Sequence, residues 1–152
     1  MNPTLMVSAI HHGTVIDHIP HGQAIRIIYL LSLLDRQYQM MLGINLKSTR
    51  TGKKDLIKIE NCFLTEEEVS RIVAFAPSAT INLIENFSVI KKMSAGLPPT
   101  IRAVFVCPNP ACITHAGVIE TVFHLSEENH KIHLDCHYCE KTFDRDTLEV
   151  RA

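Results

Sequence analysis

The sequence predicts an α+β protein of two units, a mixed helix-and-strand unit followed by a small all-β unit. Three observations lead to this prediction. Apolar patterning over residues 1–92 gives the order β-α-β-β-α-β, with a further short strand at its end. Glycine and proline then interrupt every regular pattern over residues 93–100, which indicates a linker. Four of the five cysteines fall in two close pairs within residues 101–152.

Each element of the first unit has a local signal. The apolar residues of the segment 24–34 cover nearly the whole circumference of a helix, so we expect this helix to be buried against a sheet and against another subunit. Thr65 and Glu68 form a capping box that starts a second helix, and Pro77 ends it. The predicted strands are 4–10, resuming at 14–16 after a turn at 11–13, then 39–46, 55–60, 80–85 and 87–90. This order is that of the ferredoxin-like fold, an antiparallel sheet with both helices on one face.

The two cysteine pairs predict a zinc ion. Cys107 and Cys112 form one short loop, Cys136 and Cys139 form the other, and hairpins at 117–125 and 130–134 would bring the loops together. Four thiolates complete a tetrahedral Zn²⁺ shell and leave no position for water, so the site is structural. The all-β unit is therefore predicted to be a zinc ribbon of the rubredoxin-like kind. Cys62 stands apart from these pairs and is expected to be a buried apolar residue.

Composition excludes several classes of protein. The formal net charge is −1, whereas a dedicated nucleic-acid binder usually carries a strong basic excess. The N-terminus shows no cationic leader with a long apolar segment, and the densest apolar run is too short to span a bilayer. We therefore expect a cytoplasmic protein without membrane or nucleic-acid partners. Nucleophile-elbow, phosphate-loop and metalloprotease motifs are missing from the sequence, which argues against an enzyme.

Five segments resemble the regulatory chain of aspartate carbamoyltransferase. They are Gly13-Thr-Val-Ile-Asp-His-Ile-Pro20, Lys54-Asp-Leu-Ile-Lys-Ile-Glu-Asn61, Ala76-Pro-Ser-Ala-Thr80, Cys107-Pro-Asn with Cys112-Ile113, and Cys136-His-Tyr-Cys-Glu140. The resemblance runs in register along nearly the whole chain. It implies a non-catalytic subunit with an allosteric domain (1–92), a linker (93–100) and a zinc domain (101–152). It also implies CTP as inhibitor, ATP as activator, homodimers formed through the N-terminal domains, and a dodecamer of six catalytic and six regulatory chains in pyrimidine biosynthesis.

The resemblance also implies roles for individual residues. Asp17 and His18 match positions that face ribose and phosphate. Lys58 and Lys92 match lysines that meet the ribose and triphosphate, and Lys54 lies nearby. The residues expected to bind nucleotide are Ala9, Ile10, Val15, Asp17, His18, Lys54, Lys58, Asn82, Ile84, Phe87, Val89 and Lys92. Asn109, Glu140 and Lys141 are expected to contact the catalytic chain. Ser8, Phe87 and Ala111 depart from residues common in the family.

Two other functions compete with this reading. A free-standing zinc ribbon could bind nucleic acid, with Arg50, Lys53 and Lys54 contacting phosphates. A small metalloenzyme would need an open coordination position on the zinc ion, which four cysteine ligands would not leave.

Overall fold

A computed structural model describes residues 9–49, 52–93, 97–129 and 131–149. The chain divides into two compact units, Met1–Ala95 and Gly96–Ala152. None of the described helices is long and apolar enough to cross a membrane.

The first unit contains one five-stranded antiparallel sheet. Its strands are paired in the order β2-β3-β1-β4-β5. The elements in chain order are β1 (His12–Pro20), α1 (Ala24–Leu30), a 3₁₀ turn (Leu33–Arg36), β2 (Met40–Ser48), β3 (Gly52–Glu60), α2 (Glu66–Phe75), β4 (Thr80–Glu85) and β5 (Ser88–Met93). This topology confirms the ferredoxin-like prediction, and β5 is the additional hairpin strand.

The buried face of this sheet holds the core. Ile16 on β1 lies opposite both Ile57 and Ile81, and all three side chains are at most 1% exposed. Ile27 of α1 and Ile72 of α2 are also fully buried. Because side chains alternate between the two faces of a strand, Val15 and its cross-strand neighbours lie on the opposite face.

The first strand differs from its prediction. β1 begins at His12, so the predicted turn at 11–13 is wrong. Residues 4–8 of the predicted strand lie outside the described residues, and residues 9–10 are not in a strand. Gly13 has a φ of +146°, and a Cβ atom there would lie 1.9 Å from the carbonyl oxygen of Ile59. Gly13 therefore serves a close approach of β1 to β3 rather than a turn.

The first helix is shorter than predicted. α1 ends at Leu30, Ser32 adopts a left-handed conformation with φ of 51°, and the 3₁₀ turn follows, so a continuous helix to Leu34 is wrong. The exposed fractions of Ile25, Tyr29 and Leu34 are 43%, 67% and 58%. Within this chain, α1 therefore buries one side only.

The second helix is confirmed in detail. The Thr65 hydroxyl accepts a hydrogen bond from the Glu68 amide at 3.2 Å, and the Glu68 carboxylate accepts one from the Thr65 amide at 3.1 Å. The helix ends at Phe75, two residues before Pro77. Cys62 is buried, as expected of a small apolar residue.

A buried carboxylate fixes the start of α1. Asp55 on β3 is fully buried and accepts hydrogen bonds from the amides of Gly22 at 2.8 Å, Ala24 at 3.2 Å and Asn45 at 3.0 Å. Gln23, the residue before α1, makes no side-chain cap. Asp55 therefore replaces the missing cap and ties α1 to the irregularity in β2 between Gly43 and Leu46.

We expect Asp55→Asn to destabilise the first unit by about 3 kcal/mol, since hydrogen bonds to a charged group are worth about 1.5–3 kcal/mol each. The amide group would also place donor hydrogens against backbone donors. Urea unfolding followed by circular dichroism measures the change. Asp35→Asn, on the surface of the 3₁₀ turn, is the matched control and should change stability by less than about 0.5 kcal/mol. Equal stability of the two variants would contradict this role of Asp55.

The second unit is a four-stranded antiparallel sheet around a small core. The strands β6 (Thr100–Arg102), β7 (Val122–Glu128), β8 (Lys131–Cys136) and β9 (Thr142–Asp144) are paired in that order. Phe105, Phe123 and Leu134 are at most 1% exposed and form the centre of the core. This all-β architecture confirms the predicted class of the second unit.

The predicted pair of hairpins in this unit is wrong. The strand assigned to 117–125 begins at Val122 and forms a single hairpin with β8. Thr121 is held by its side chain, whose hydroxyl donates to the carbonyl of Phe105 at 2.6 Å. Gly117 has a φ of +121°, and Val118 is 97% exposed. Residues 117–120 therefore form a connection that is largely exposed, and the chain becomes buried again at Thr121.

Candidate functional sites

The four paired cysteines form one cluster in the second unit. Their sulfur atoms all lie within 4.8 Å of one another. The Sγ atoms of Cys107 and Cys139 are 3.8 Å apart, and those of Cys112 and Cys136 are 3.7 Å apart. None of these cysteines forms a disulfide. Each close contact joins one loop to the other, so the two loops face a common centre.

The cluster has the dimensions of a tetrahedral zinc site. Four sulfurs at about 2.3 Å from a zinc ion would be separated from one another by about 3.8 Å. The observed separations match this value, whereas a disulfide would need about 2.05 Å. All four ligand positions are thiols, and Cys107, Cys112 and Cys136 are buried. The residues present therefore fit a closed, structural Zn²⁺ site.

Neighbouring donors favour charge on some of these sulfurs. Thr114 donates its hydroxyl to Cys112 Sγ at 3.2 Å. Burial raises the pKa of Cys107 to about 12. At Cys139 the effect of burial is outweighed by hydrogen bonds from the Asn109 side chain and the Lys141 amide, which lower the pKa to about 7. Not all four thiols are ionised near neutral pH, so binding of Zn²⁺ must release protons.

The three expected interface residues lie around this cluster. Asn109 accepts a hydrogen bond from the Ala111 amide at 3.1 Å as well as donating to Cys139, so it shapes the first loop. Glu140 is exposed, has a φ of 62°, and donates its amide to the carbonyl of Cys136 at 2.9 Å. Lys141 is exposed beside it. Any surface that these residues present depends on the two cysteine loops.

Four of the expected nucleotide-binding residues form one row across the first sheet. Val15 on β1 pairs with Lys58 on β3 and with Asn82 on β4, and Asn82 pairs with Lys92 on β5. Directly paired residues of an antiparallel sheet point to the same face. The row therefore lies on the face opposite the core. It has one lysine at each end, with an apolar side chain and an amide side chain between them.

A second group lies at the end of β1. His18 has a φ of 55°, at the irregularity between Ile16 and Ile19. The Lys54 Nζ atom lies 2.8 Å from Asp17 Oδ1, and His18 Nδ1 lies 3.0 Å from the Thr80 hydroxyl. Partial burial raises the pKa of Asp17, but hydrogen bonds from Lys54 and the His18 amide outweigh it and leave the pKa below its usual value.

The other expected nucleotide-binding residues lie beside the row, towards the start of β1. Ile84 pairs with Gly13 and Val89, so these residues form the next row on the same face. Phe87 is 64% exposed in the turn between β4 and β5, with its ring 5.0 Å from that of His11. Ile10 is buried and Ala9 is exposed before β1. Ser8, one of the family departures, lies outside the described residues.

Sequence reasoning missed three residues that support these sites. They are Asp55, which caps α1; Thr80, which contacts His18; and Thr114, which contacts Cys112. An acidic residue at an inward position of β3 was the available signal for Asp55. The contacts of Thr80 and Thr114 depend on tertiary geometry that no local pattern records.

The fold and the cysteine cluster define a two-unit, metal-binding chain. Residues 5–95 match the family model for the aspartate carbamoyltransferase regulatory chain, allosteric domain, and residues 99–149 match the model for its metal binding domain. Among similar proteins are the aspartate carbamoyltransferase regulatory chains of Aeromonas hydrophila, Vibrio cholerae and Chromobacterium violaceum. The Aeromonas chain is 47% identical, with 97% of this chain and 96% of the relative covered. The Vibrio chain is 46% identical with the same coverage, and the Chromobacterium chain is 44% identical over 99% and 100%.

This chain belongs to the family of aspartate carbamoyltransferase regulatory chains. Its members are regulatory subunits, so the chain is a non-catalytic subunit with an allosteric domain and a metal-binding domain. Membership of this family favours the regulatory function over both competing functions, the free-standing nucleic-acid-binding ribbon and the small metalloenzyme.

Proposed function

We propose that the first unit binds CTP and ATP as competing allosteric effectors on the face of its sheet opposite the core. The row formed by Lys58, Val15, Asn82 and Lys92 carries this proposal. A nucleoside triphosphate needs cations for its phosphates, an apolar contact for its base and polar groups that read the base edge. The row and its neighbours supply each of these.

We assign three lysines to the phosphates. Lys54 lies beside Asp17 near the irregular end of β1, while Lys58 and Lys92 lie on the row. Burial lowers the pKa of Lys58, because the folded protein withholds part of the hydration that stabilises its charge. A polyphosphate would replace that hydration with direct ion pairs, so binding should favour the charged lysine. Lysine suits this role because it acts on phosphate as a point charge.

Asn82 is suited to reading the base. Its Oδ1 atom is buried and accepts no hydrogen bond from any group that the structure describes. A buried acceptor without a donor costs about 1–3 kcal/mol, so a ligand that supplies a donor gains that energy. Cytosine and adenine each carry an exocyclic amine, whereas uracil carries a carbonyl oxygen at the corresponding position. Asn82 therefore favours CTP and ATP over UTP.

We expect Lys58→Ala to weaken CTP binding by about 10- to 100-fold, the loss of a charged hydrogen bond. Asn82→Ala should reduce the preference for CTP over UTP. Calorimetric titration of the purified chain measures both effects. Lys53→Ala is the matched control, because Lys53 lies on the same strand but is directed to the other face. Unchanged CTP affinity in Lys58→Ala, or an equal loss in Lys53→Ala, would contradict the assignment of the row.

We further infer that the second unit docks on the catalytic chain of aspartate carbamoyltransferase, with Asn109, Glu140 and Lys141 in contact. Effector binding then shifts the holoenzyme between two states, by a coupling free energy of about 1–3 kcal/mol.

The exposed apolar residues Ile25 and Tyr29 of α1 support pairing of two copies through their first units. A cytoplasmic assembly of six catalytic and six regulatory chains completes the proposal. Sedimentation of the chain alone and with catalytic chains tests both contacts; monomers that never bind catalytic chains would refute them.

A further inference from the structure

The polar face of the second sheet carries an unusual set of histidines. Phe123 and Leu134 point into the core, so residues that alternate with them point outwards. His124 on β7 is therefore outward, directly opposite Asp135 on β8. His137 follows β8, and its amide donates to the carbonyl of Val122 at 2.8 Å, which continues the pairing of β7 with β8 past Cys136.

The rings of His124 and His137 meet on this face. Nε2 of His124 lies 3.0 Å from Nδ1 of His137, the ring centroids are 5.2 Å apart, and the ring planes are inclined by 56°. Two imidazole nitrogens bound side by side to one metal ion at about 2.0–2.1 Å would be about 2.9–3.4 Å apart. The two nitrogens share a hydrogen bond in the metal-free chain and thus already have the separation that a shared metal ion requires. Binding of the ion would move the shared hydrogen to the other nitrogen of its ring, so that both nitrogens become ligands. Both residues are exposed, so an ion and its water ligands can reach them.

We propose that His124 and His137 form a second metal site, separate from the four-cysteine centre, for a late first-row divalent ion such as Ni²⁺, Cu²⁺ or Zn²⁺. Imidazole nitrogen suits these ions, and affinity rises along the series towards Cu²⁺. His137 lies between two cysteine ligands in sequence, yet its Nδ1 atom contacts His124. Asp135, whose Oδ1 accepts the Thr142 hydroxyl at 2.5 Å, is the carboxylate across from His124.

The number of protein ligands sets the character of this site. Among the described residues, the cysteines are the one group of three or more ligands within metal-binding distance of one another. The histidine pair therefore supplies two ligands and water supplies the others. Such an ion exchanges readily, in contrast to one enclosed by four thiolates. The site adds no fold stability comparable to that of the structural zinc ion and responds instead to the concentration of free metal.

Titration of the zinc-loaded, full-length chain with Ni²⁺ tests the proposal, with metal content followed by native mass spectrometry. We expect one Ni²⁺ to bind per chain while the zinc is retained. His124→Ala and His137→Ala should each weaken Ni²⁺ binding by at least about tenfold. Even substitution of residues that only hydrogen-bond to a metal ligand lowers metal affinity by about 10–100-fold. His133→Ala is the matched control; it removes an imidazole from the same face, one that contacts Asp144 at 3.0 Å.

Zinc content and circular dichroism show whether each variant is folded, so a misfolded variant is recognised independently of Ni²⁺ binding. Paramagnetic broadening of amide signals should centre on His124 and His137. The proposal is overturned if folded His124→Ala and His137→Ala bind Ni²⁺ as the parent chain does, if His133→Ala loses as much, or if Ni²⁺ enters only by displacing zinc.

Discussion

Removal of zinc is expected to unfold the second unit while the first unit keeps its sheet. Structural zinc contributes apparent binding energies of about 10–16 kcal/mol in small zinc peptides. A core as small as that around Phe105, Phe123 and Leu134 rarely supplies more than about 3–5 kcal/mol. The binding energy lost with the zinc ion therefore exceeds the stability that this core supplies by itself. After chelation, amide signals of residues 97–149 should lose their dispersion, whereas those of residues 9–93 should not move.

Cys136→Ser should produce the same result without a chelator, together with loss of binding to catalytic chains. Cys62→Ser is the matched control, because Cys62 is a buried cysteine of the first unit and lies outside the cluster. The Cys62→Ser variant should bind as much zinc as the parent chain, and its second unit should remain folded. An ordered second unit in protein that elemental analysis finds free of zinc would refute the structural role of the metal.

The second large effect is expected at Gly13. An alanine Cβ there would lie 1.9 Å from the Ile59 carbonyl oxygen and 3.1 Å from the Asn61 amide nitrogen, and backbone atoms cannot rotate away as a side chain would. The central pair β1–β3 must separate or the chain must shift. We expect Gly13→Ala to cost about 3 kcal/mol or more, which lowers Tm by about 12–24 °C in a unit of this size. Thermal unfolding followed by circular dichroism measures the loss.

Gly52→Ala separates steric conflict from backbone conformation. Gly52 also has a positive φ, +83°, but a Cβ atom there would meet nothing within 4 Å. Its substitution should cost about 1 kcal/mol, the lower end for a residue held in a sparsely populated conformation. If the two variants lost the same stability, the contact with Ile59 would not be the reason that β1 needs glycine.

Features governed by local chemistry could be predicted from the sequence. The capping box of Thr65 and Glu68 and the stop near Pro77 follow from backbone groups within a few residues, and both were found as expected. The cysteine cluster was equally predictable, because spacing within each pair fixes which sulfurs can share a metal ion. The alternation of strands and helices sufficed for the topology of the first sheet.

The failures have one physical cause, which is dependence on distant partners. Gly13 resembles a turn glycine until Ile59 is placed against it, and Ser32 interrupts a stretch that is apolar on every side. His18 is left-handed at an irregularity of β1 that no periodicity marks. Asp55 is an inward charge whose three amide partners lie up to 33 residues away. Strand pairing also aligned Lys58, Asn82 and Lys92, which are scattered along the sequence.

That alignment has a mechanical consequence for the first unit. A molecule that contacts Lys58, Val15, Asn82 and Lys92 would bridge four neighbouring strands, β3, β1, β4 and β5. Each of the described hairpins contains only part of this row, so binding of the molecule would require the entire sheet to be folded. At a concentration of one hundred times its Kd, such an occupant would add about 2.7 kcal/mol to the free energy of unfolding. The melting temperature of this unit would then act as a gauge of effector concentration.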